Sequence, residues 1–375
     1  MNQRRHDVAI VGGGPTGLAL GALLAGIGID VVVLERRPTA SNRNRAIGIH
    51  AAAMRVLDEV GVAAAVQAEA VVIERGVADC QRRRLAELDL GDAPVRTLPQ
   101  PRTEALLTAR LEQLAPGALR RGEAVICVEP RDDEVQLQVD VGGGETRRYD
   151  ARYVVGADGA RSAVRAAIGS VWRRHGQPAH YAMADESRVV SGLAAAELHL
   201  EPGGVVERFP LPSAHRWVVR LPQRVTTLGR TEFAAVVFRR LGAGPATTAL
   251  GQVSPFTARQ HLATPFARGR IALLGDAAHE LSPIGGQGMN LGWLDAAVLA
   301  RLLERALEEG APGEPFAAYE RRRRAARQAM RRAAWNTALG APIDGLGLGM
   351  RNAAVRLLGT RPWRSVARAI VTVRD

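Results

Sequence analysis

Three glycine-bearing segments hold most of the residues of this 375-residue chain that could do chemistry, each where an apolar run gives way to a helical one. The first is Gly12-Gly13-Gly14-Pro15-Thr16-Gly17. It follows the apolar run Asp7 to Val11 and precedes a buried helix over Leu18 to Ile27; a second apolar run, Asp30 to Leu34, ends at Glu35. Strand, tight turn, helix, strand and acid in this register make a dinucleotide-binding unit. Gly12 makes the turn, Gly14 lets a pyrophosphate reach the helix N-terminus, and Gly17 lets helix and strand pack closely. Glu35 is placed to accept hydrogen bonds from a ribose, with Arg36 and Arg37 beside it. The second segment, Gly156-Ala157-Asp158-Gly159-Ala160-Arg161-Ser162, follows the apolar Tyr153-Val154-Val155. The third follows Ile271 to Leu274. It runs from Gly275-Asp276-Ala277-Ala278-His279 through Pro283 to Gly285-Gly286-Gln287-Gly288-Met289-Asn290. Beyond it Leu291, Leu294, Val298, Leu299 and Leu302 recur at helical spacing. A loop-to-helix junction of this kind offers free N–H groups and the positive end of a helix dipole. It suits a ligand that carries or develops negative charge, and its glycines let backbone approach a flat ring.

The rest of the chain must position these segments. Hydrophobic residues at 47% and charged residues at 23% are ordinary for a globular protein, and the length suits about two domains. The formal charge of +12 comes with no lysine at all, so all 50 basic side chains are arginine. Spread over the whole chain, this is a compositional bias and not a nucleic-acid footprint. Cys80 and Cys127 stand alone, which excludes a disulfide framework, a cysteine zinc site and a CxxC pair. Met1 to Asp7 is polar and Leu18 to Ile29 is too short to span a bilayer, so no signal peptide and a cytoplasmic location are expected. In Arg43-Asn44-Arg45-Ala46-Ile47-Gly48-Ile49-His50, Arg45 is favoured for a phosphate or substrate channel, Arg43 is evenly balanced, and His50 reads as a partly buried histidine. Strands are expected at Val71 to Val77 and Leu85 to Leu90 around a turn at Arg82 to Arg84. An amphipathic helix follows at Thr103 to Leu114 and a hairpin over residues 123–150, with Tyr153 to Val155 as a separate strand. Short alternating runs from 171 to 221 predict an antiparallel sheet; Thr231 to Leu241 and Thr247 to Val253 predict helices. The expected fold class is α/β: a Rossmann-like domain (1–70, 101–170 and 262–312), an inserted and mostly antiparallel substrate domain (71–100 and 171–261) and basic C-terminal helices (313–375).

Taken together, Gly12-x-Gly14-x-x-Gly17 with Glu35, Asp158-Gly159 and Gly275-Asp276 resemble the three motifs of the class A FAD-dependent monooxygenases, the family of p-hydroxybenzoate hydroxylase. The resemblance runs from Asp7 to about Ala311. It is similar to the aromatic-polyketide branch over Arg43 to Val62 and to ubiquinone-pathway hydroxylases after the third motif. It implies FAD as cofactor, NADH or NADPH as reductant, O2 as co-substrate, and hydroxylation or epoxidation of a bulky aromatic or polyketide-like molecule. It implies that Gly12, Gly14, Pro15, Thr16 and Gly17 hold the pyrophosphate, and that Glu35 and Arg36 lie at the adenosine. It places Arg45 and Arg102 along the pyrophosphate and ribityl chain, Asp158 near the pyrophosphate and Asp276 on the ribityl hydroxyls. Pro283 and the amides of Gly285, Gly286, Gln287, Gly288, Met289 and Asn290 would face the isoalloxazine. No acid–base residue is singled out: His50, His180, Tyr181, His199 and His215 are candidates. No metal is expected. The absence of lysine and of a WxWxIP motif excludes the sister halogenases. A cyclase that keeps FAD as a structural part remains the alternative, and the basic C-terminal helices suggest a weak peripheral membrane contact.

Overall fold

A computed structural model describes residues 5–41, 46–187, 194–309 and 316–360. The valine- and alanine-rich runs form the parallel centre of an eight-stranded sheet. Val8 to Val11 pair with Val31 to Leu34 on one side and with Tyr153 to Gly156 on the other; Val154 to Gly156 pair onward with Ile271 to Leu273. Strands buried on both faces carry continuous apolar sequence, and Val31–Glu35 is buried throughout. The register brings the C-terminal ends of Arg5–Val11, Val31–Glu35, Glu145–Gly156 and Ile271–Leu273 to one edge, so all three glycine segments leave the sheet on the same side. Helices Pro15–Gly26 and Gln287–Glu308 pack against each other beside that edge.

The second sheet has seven strands, in the order Ser254–Ala258, Ala179–Ser187, Ala214–Leu221, Val206–Leu211, Ala195–His199, Arg75–Cys80 and Arg83–Asp89. Every pairing in it is antiparallel except that of Ala195–His199 with Arg75–Cys80. Alternation sends its residues to two different layers. Val206, Trp217 and Val219 pack on Phe233 and Val237 of helix Arg230–Leu241. Met183, Leu200, Val205 and Val218 face the other way, toward Ile284, Leu339 and Val355. The C-terminal helices Arg322–Leu339 and Gly345–Leu358 are therefore part of the packing and not a trailing tail. Ala326, Ala329 and Met330 join the main core, and Arg351 donates to the Leu200 carbonyl oxygen.

Four local expectations change. Val71 to Val77 is two strands, Val71–Ile73 and Arg75–Cys80, which belong to different sheets. Thr247 to Val253 is a turn with one bridge, Leu250 to Glu186, because Gly244-Pro245 and Gly251 leave no helical run between them. Tyr153 to Val155 is the end of one strand, Glu145–Gly156, that also forms the hairpin arm. The turn before Arg83–Asp89 is made by Gln81 and Arg82, both at positive φ, so Arg83 and Arg84 already lie in the strand. Among the described residues no helix is long and apolar enough to cross a membrane, and no cluster of His, Cys, Asp or Glu could hold a metal ion.

Candidate active site

The first and third glycine segments interlock through Thr16. A Cβ on Gly275 would lie 2.9 Å from Thr16 Oγ1, and one on Gly292 would lie 2.3 Å from Thr16 Cγ2. Trp293 Nε1 donates to the Pro15 carbonyl oxygen at 3.0 Å and ties the long helix to the same turn. Gly12, at φ 112, passes so close to the second segment that a Cβ would sit 2.4 Å from the Ala157 carbonyl oxygen. A side chain at Gly14, by contrast, would meet nothing within 4 Å. That open space is one end of a cavity of about 1530 Å³ which runs on to the seven-stranded sheet. Its volume exceeds the roughly 300–1,000 Å³ of a single small-molecule site. It is room for two ligands side by side.

The electrostatics of the glycine end suit a dinucleotide. Helix Pro15–Gly26 begins without a side-chain cap, which leaves its first N–H groups for a ligand. Glu35 is buried; its Oε2 accepts from the Gly13 N–H at 2.8 Å and its Oε1 from the Arg37 N–H at 2.9 Å and Nε at 2.8 Å. Burial opposes ionisation, but the Arg37 guanidinium and the Arg37 and Gly13 amides outweigh it, so the carboxyl lies below its ordinary pKa. Asp158 is different. Its Oδ2 accepts from the Ala163 N–H at 2.7 Å, its Oδ1 is buried with no partner among the described residues, and burial raises its pKa. An orphaned acceptor at the wall, an uncapped helix and an open cradle at Gly14 together fit a bound FAD.

Gly12, Gly14, Pro15, Thr16, Glu35, Arg36 and Asp158 line this end of the cavity, and Asp276, Pro283, Gly285, Gly286, Gly288 and Met289 line its middle. Other expected residues are placed elsewhere. Gly17 sits behind the wall, where a Cβ would lie 2.0 Å from the Gly12 carbonyl oxygen, so its task is close packing. Gln287 and Asn290 are fully buried, outside the lining. Asn290 is a bracket: Nδ2 donates to the carbonyl oxygens of Gly48 (2.9 Å) and Gly286 (2.6 Å), and Oδ1 accepts from the His50 N–H at 2.8 Å. Arg102 is a correction. Its guanidinium is held by Glu69 at 2.6 and 2.7 Å on the exposed side of its helix, and it does not line the cavity. Gln100 and Glu104 of the same helix do; Gln100 Oε1 accepts from the Ala46 N–H at 3.1 Å, and its Nε2 donates to Glu104 at 2.8 Å. Arg43 and Arg45 lie outside the described residues.

The acid–base candidates also sort by position. His50 lines the cavity, but burial lowers its pKa to about 4, so the ring is neutral near pH 7. His180, Tyr181, His199 and His215 are not part of the lining. Tyr181 stacks on Phe256 and receives a hydrogen bond from Arg220 at 2.9 Å; His180 meets Thr257 at 3.1 Å, and His199 meets Glu197 at 3.3 Å. Sequence reasoning missed Glu207, which does line the cavity at 4% exposure. The signal for it was an acid, followed only by Arg208 as a second charge, within the run Val205 to Phe209. Also missed was Asp295, buried behind the third segment, whose Oδ2 is 2.6 Å from His279 Nε2 and whose Oδ1 accepts from Arg322 Nε at 2.6 Å.

Comparisons with known proteins agree with this geometry. A family model for the FAD binding domain matches residues 5–334. The chain is 32% identical over 339 residues to the 12-dehydrotetracycline 5-monooxygenase/anhydrotetracycline 6-monooxygenase of Streptomyces rimosus; the match covers 85% of this chain and 67% of that one. The crystal structure of p-nitrophenol 4-monooxygenase from Pseudomonas putida DLL-E4 shares the fold, with a TM-score of 0.86, 24% identity and 99% of each chain covered. The Diels–Alderase of the pyrroindomycin pathway superposes with a TM-score of 0.81 at 26% identity, over 99% of this chain and 81% of that one. Fold, glycine segments and relatives place this chain in the class A flavin monooxygenase family, as an FAD-binding oxidoreductase.

Proposed function

We propose that the protein uses NADH or NADPH and O2 to hydroxylate or epoxidise a bulky aromatic or polyketide-like molecule lying on the seven-stranded sheet. The observation that carries this reading is the continuity of the cavity, from the dinucleotide cradle at Gly14 to an apolar floor that includes Met183, Phe209 and Val218. FAD, when bound, supplies hydride acceptance from the nicotinamide and activation of O2. The chain's own groups do the rest. Gly12, Gly14, Thr16, Glu35, Arg36 and Asp158 would hold the adenosine and pyrophosphate end, with Arg45 assigned to the pyrophosphate by resemblance. Asp276 would accept from the ribityl hydroxyls, and Pro283 to Met289 would lie along the ring. The start of helix Gln287–Glu308 favours negative charge nearby, an effect of ~0.3–2 kcal/mol in general. The apolar floor keeps water from the reacting carbon and holds the substrate in place.

The choice of nicotinamide, a cytoplasmic site of action and a weak membrane contact of the basic helices belong to this proposal as expectations from the sequence. Likeness to a Diels–Alderase keeps one second reading in view, a ring closure without net oxidation. Reduced-nicotinamide consumption by the FAD-loaded protein separates the two. The monooxygenase reading expects consumption to rise when a hydroxylated polycyclic substrate is added. Conversion of such a substrate without reduced nicotinamide, and without gain of oxygen mass, would support the cyclase instead.

A further inference from the structure

Across the floor of the cavity the pairing register aligns Ala86, Ala78, Leu198, Glu207, Val218 and Met183 in one row. Partners in register share a face of the sheet, so Glu207 is a carboxyl set in a row of apolar side chains. Ile284, from the turn between Pro283 and Gly285, belongs to the same apolar cluster as Val218 and Met183, which sets the expected flavin-ring segment over this row. Among the described residues the Glu207 carboxyl has no hydrogen-bond or ion-pair partner, although the residue is 4% exposed and lines the cavity. A carboxylate so placed is costly unless a ligand completes it.

We propose that Glu207 is the substrate-recognising base of this site, its carboxylate taking the proton of an acidic hydroxyl, a phenol or enol, on a ring that lies along the floor. In that step the substrate O–H bond breaks and its electron pair stays on the substrate oxygen. The proton bonds to a Glu207 carboxylate oxygen, and the negative charge passes to the ring system, whose carbons become more electron-rich. The proton returns when product forms, so no further reactant is needed. Burial pushes the Glu207 pKa up to about 7, which poises the group for transfer in both directions near neutrality. Arg224, Arg259 and the ion-paired Glu87 also line the cavity, and three further ionisable groups on this side are bonded to protein groups. Arg216 is held by Asp185 at 2.7 and 2.8 Å, Tyr181 by Arg220, and Arg351 from the last helix by the Leu200 carbonyl oxygen and Cys80. The inference rests on reading the floor as the substrate site, but it does not require oxygen transfer.

The test uses the FAD-loaded full chain with 2-hydroxyanthraquinone and its methyl ether as probes, their binding followed by absorbance on both sides of pH 7. Native protein should prefer the hydroxyl probe by about tenfold or more, and the preference should fall as the pH drops through about 7. Glu207→Gln, which keeps the shape, should lose both the preference and its pH dependence while still binding FAD; Glu207→Asp should restore part of each. Infrared spectra should show a carboxylic-acid band that titrates near pH 7 in native protein and is missing in Glu207→Gln. An unchanged preference and pH profile in Glu207→Gln would overturn the proposal, even if reduced-nicotinamide consumption proved the enzyme a monooxygenase. Loss of both, in a protein that consumed no reduced nicotinamide, would uphold Glu207 and remove the monooxygenase reading.

Discussion

Single residues distinguish the proposed cofactor end of the cavity from its proposed substrate end. Asp276 is exposed at the wall beside Gly288, where it is proposed to hold the ribityl hydroxyls. Asp276→Ala should therefore weaken FAD binding by about tenfold or more, since a charged hydrogen-bond partner is lost, with little change in the unfolding midpoint. Arg102→Ala is the matching control: with its guanidinium on Glu69 and away from the cavity, fluorescence titration should find FAD affinity unchanged. Glu207 gives a pH signature. Its folded pKa of about 7 lies above the ordinary 4.5, so its contribution to stability is complete below about 4.5 and is lost as pH rises through about 7. Thermal unfolding of ligand-free Glu207→Gln should thus gain on native protein over that window, by up to about 3 kcal/mol, and stay level above it.

At the scale of elements, the glycine segments work because other elements pin them. The buried Asp295, on helix Gln287–Glu308, joins His279 of the third segment to Arg322 of the next helix. Asp295→Ala should cost about 3–5 kcal/mol in denaturant unfolding, because it leaves buried donors uncompensated. The Gly12 to Glu35 unit was legible from sequence because its chemistry is local: strand, turn, helix and acid follow within thirty residues and each type has one physical use. Most of the seven-stranded sheet was legible from alternation; its edge strand Ser254–Ala258 was not read from the sequence. What escaped were choices made by long-range contacts. Arg102 lies in the first turn of helix Gln100–Leu114, one residue before the start expected from sequence, and which face it takes depends on Glu69 from another helix. Asn290 sits in a motif expected to face a ligand, but its side chain spans 242 residues to reach Gly48. Glu207 differs from a surface acid only through the register that sets it among Leu198 and Val218.

The molecule as a whole couples two sheets through one cavity, with the third glycine segment between them. The glycine end is set by the parallel sheet, the proposed substrate floor by the mostly antiparallel one, and the C-terminal helices close the far side through Leu339 and Val355. On the proposed reading, the cofactor's ring and a bulky substrate would meet where the lining is mostly apolar, around Met183, Val218 and Ile284. In the proposed reaction an oxygen atom from O2 enters that substrate. Its most direct test is turnover of hydroxylated polycyclic aromatics by the FAD-loaded protein under heavy-isotope O2, with product mass and reduced-nicotinamide consumption measured together. One labelled oxygen atom is expected in the product for each reduced nicotinamide consumed in coupled turnover. A product formed with no labelled oxygen would contradict it.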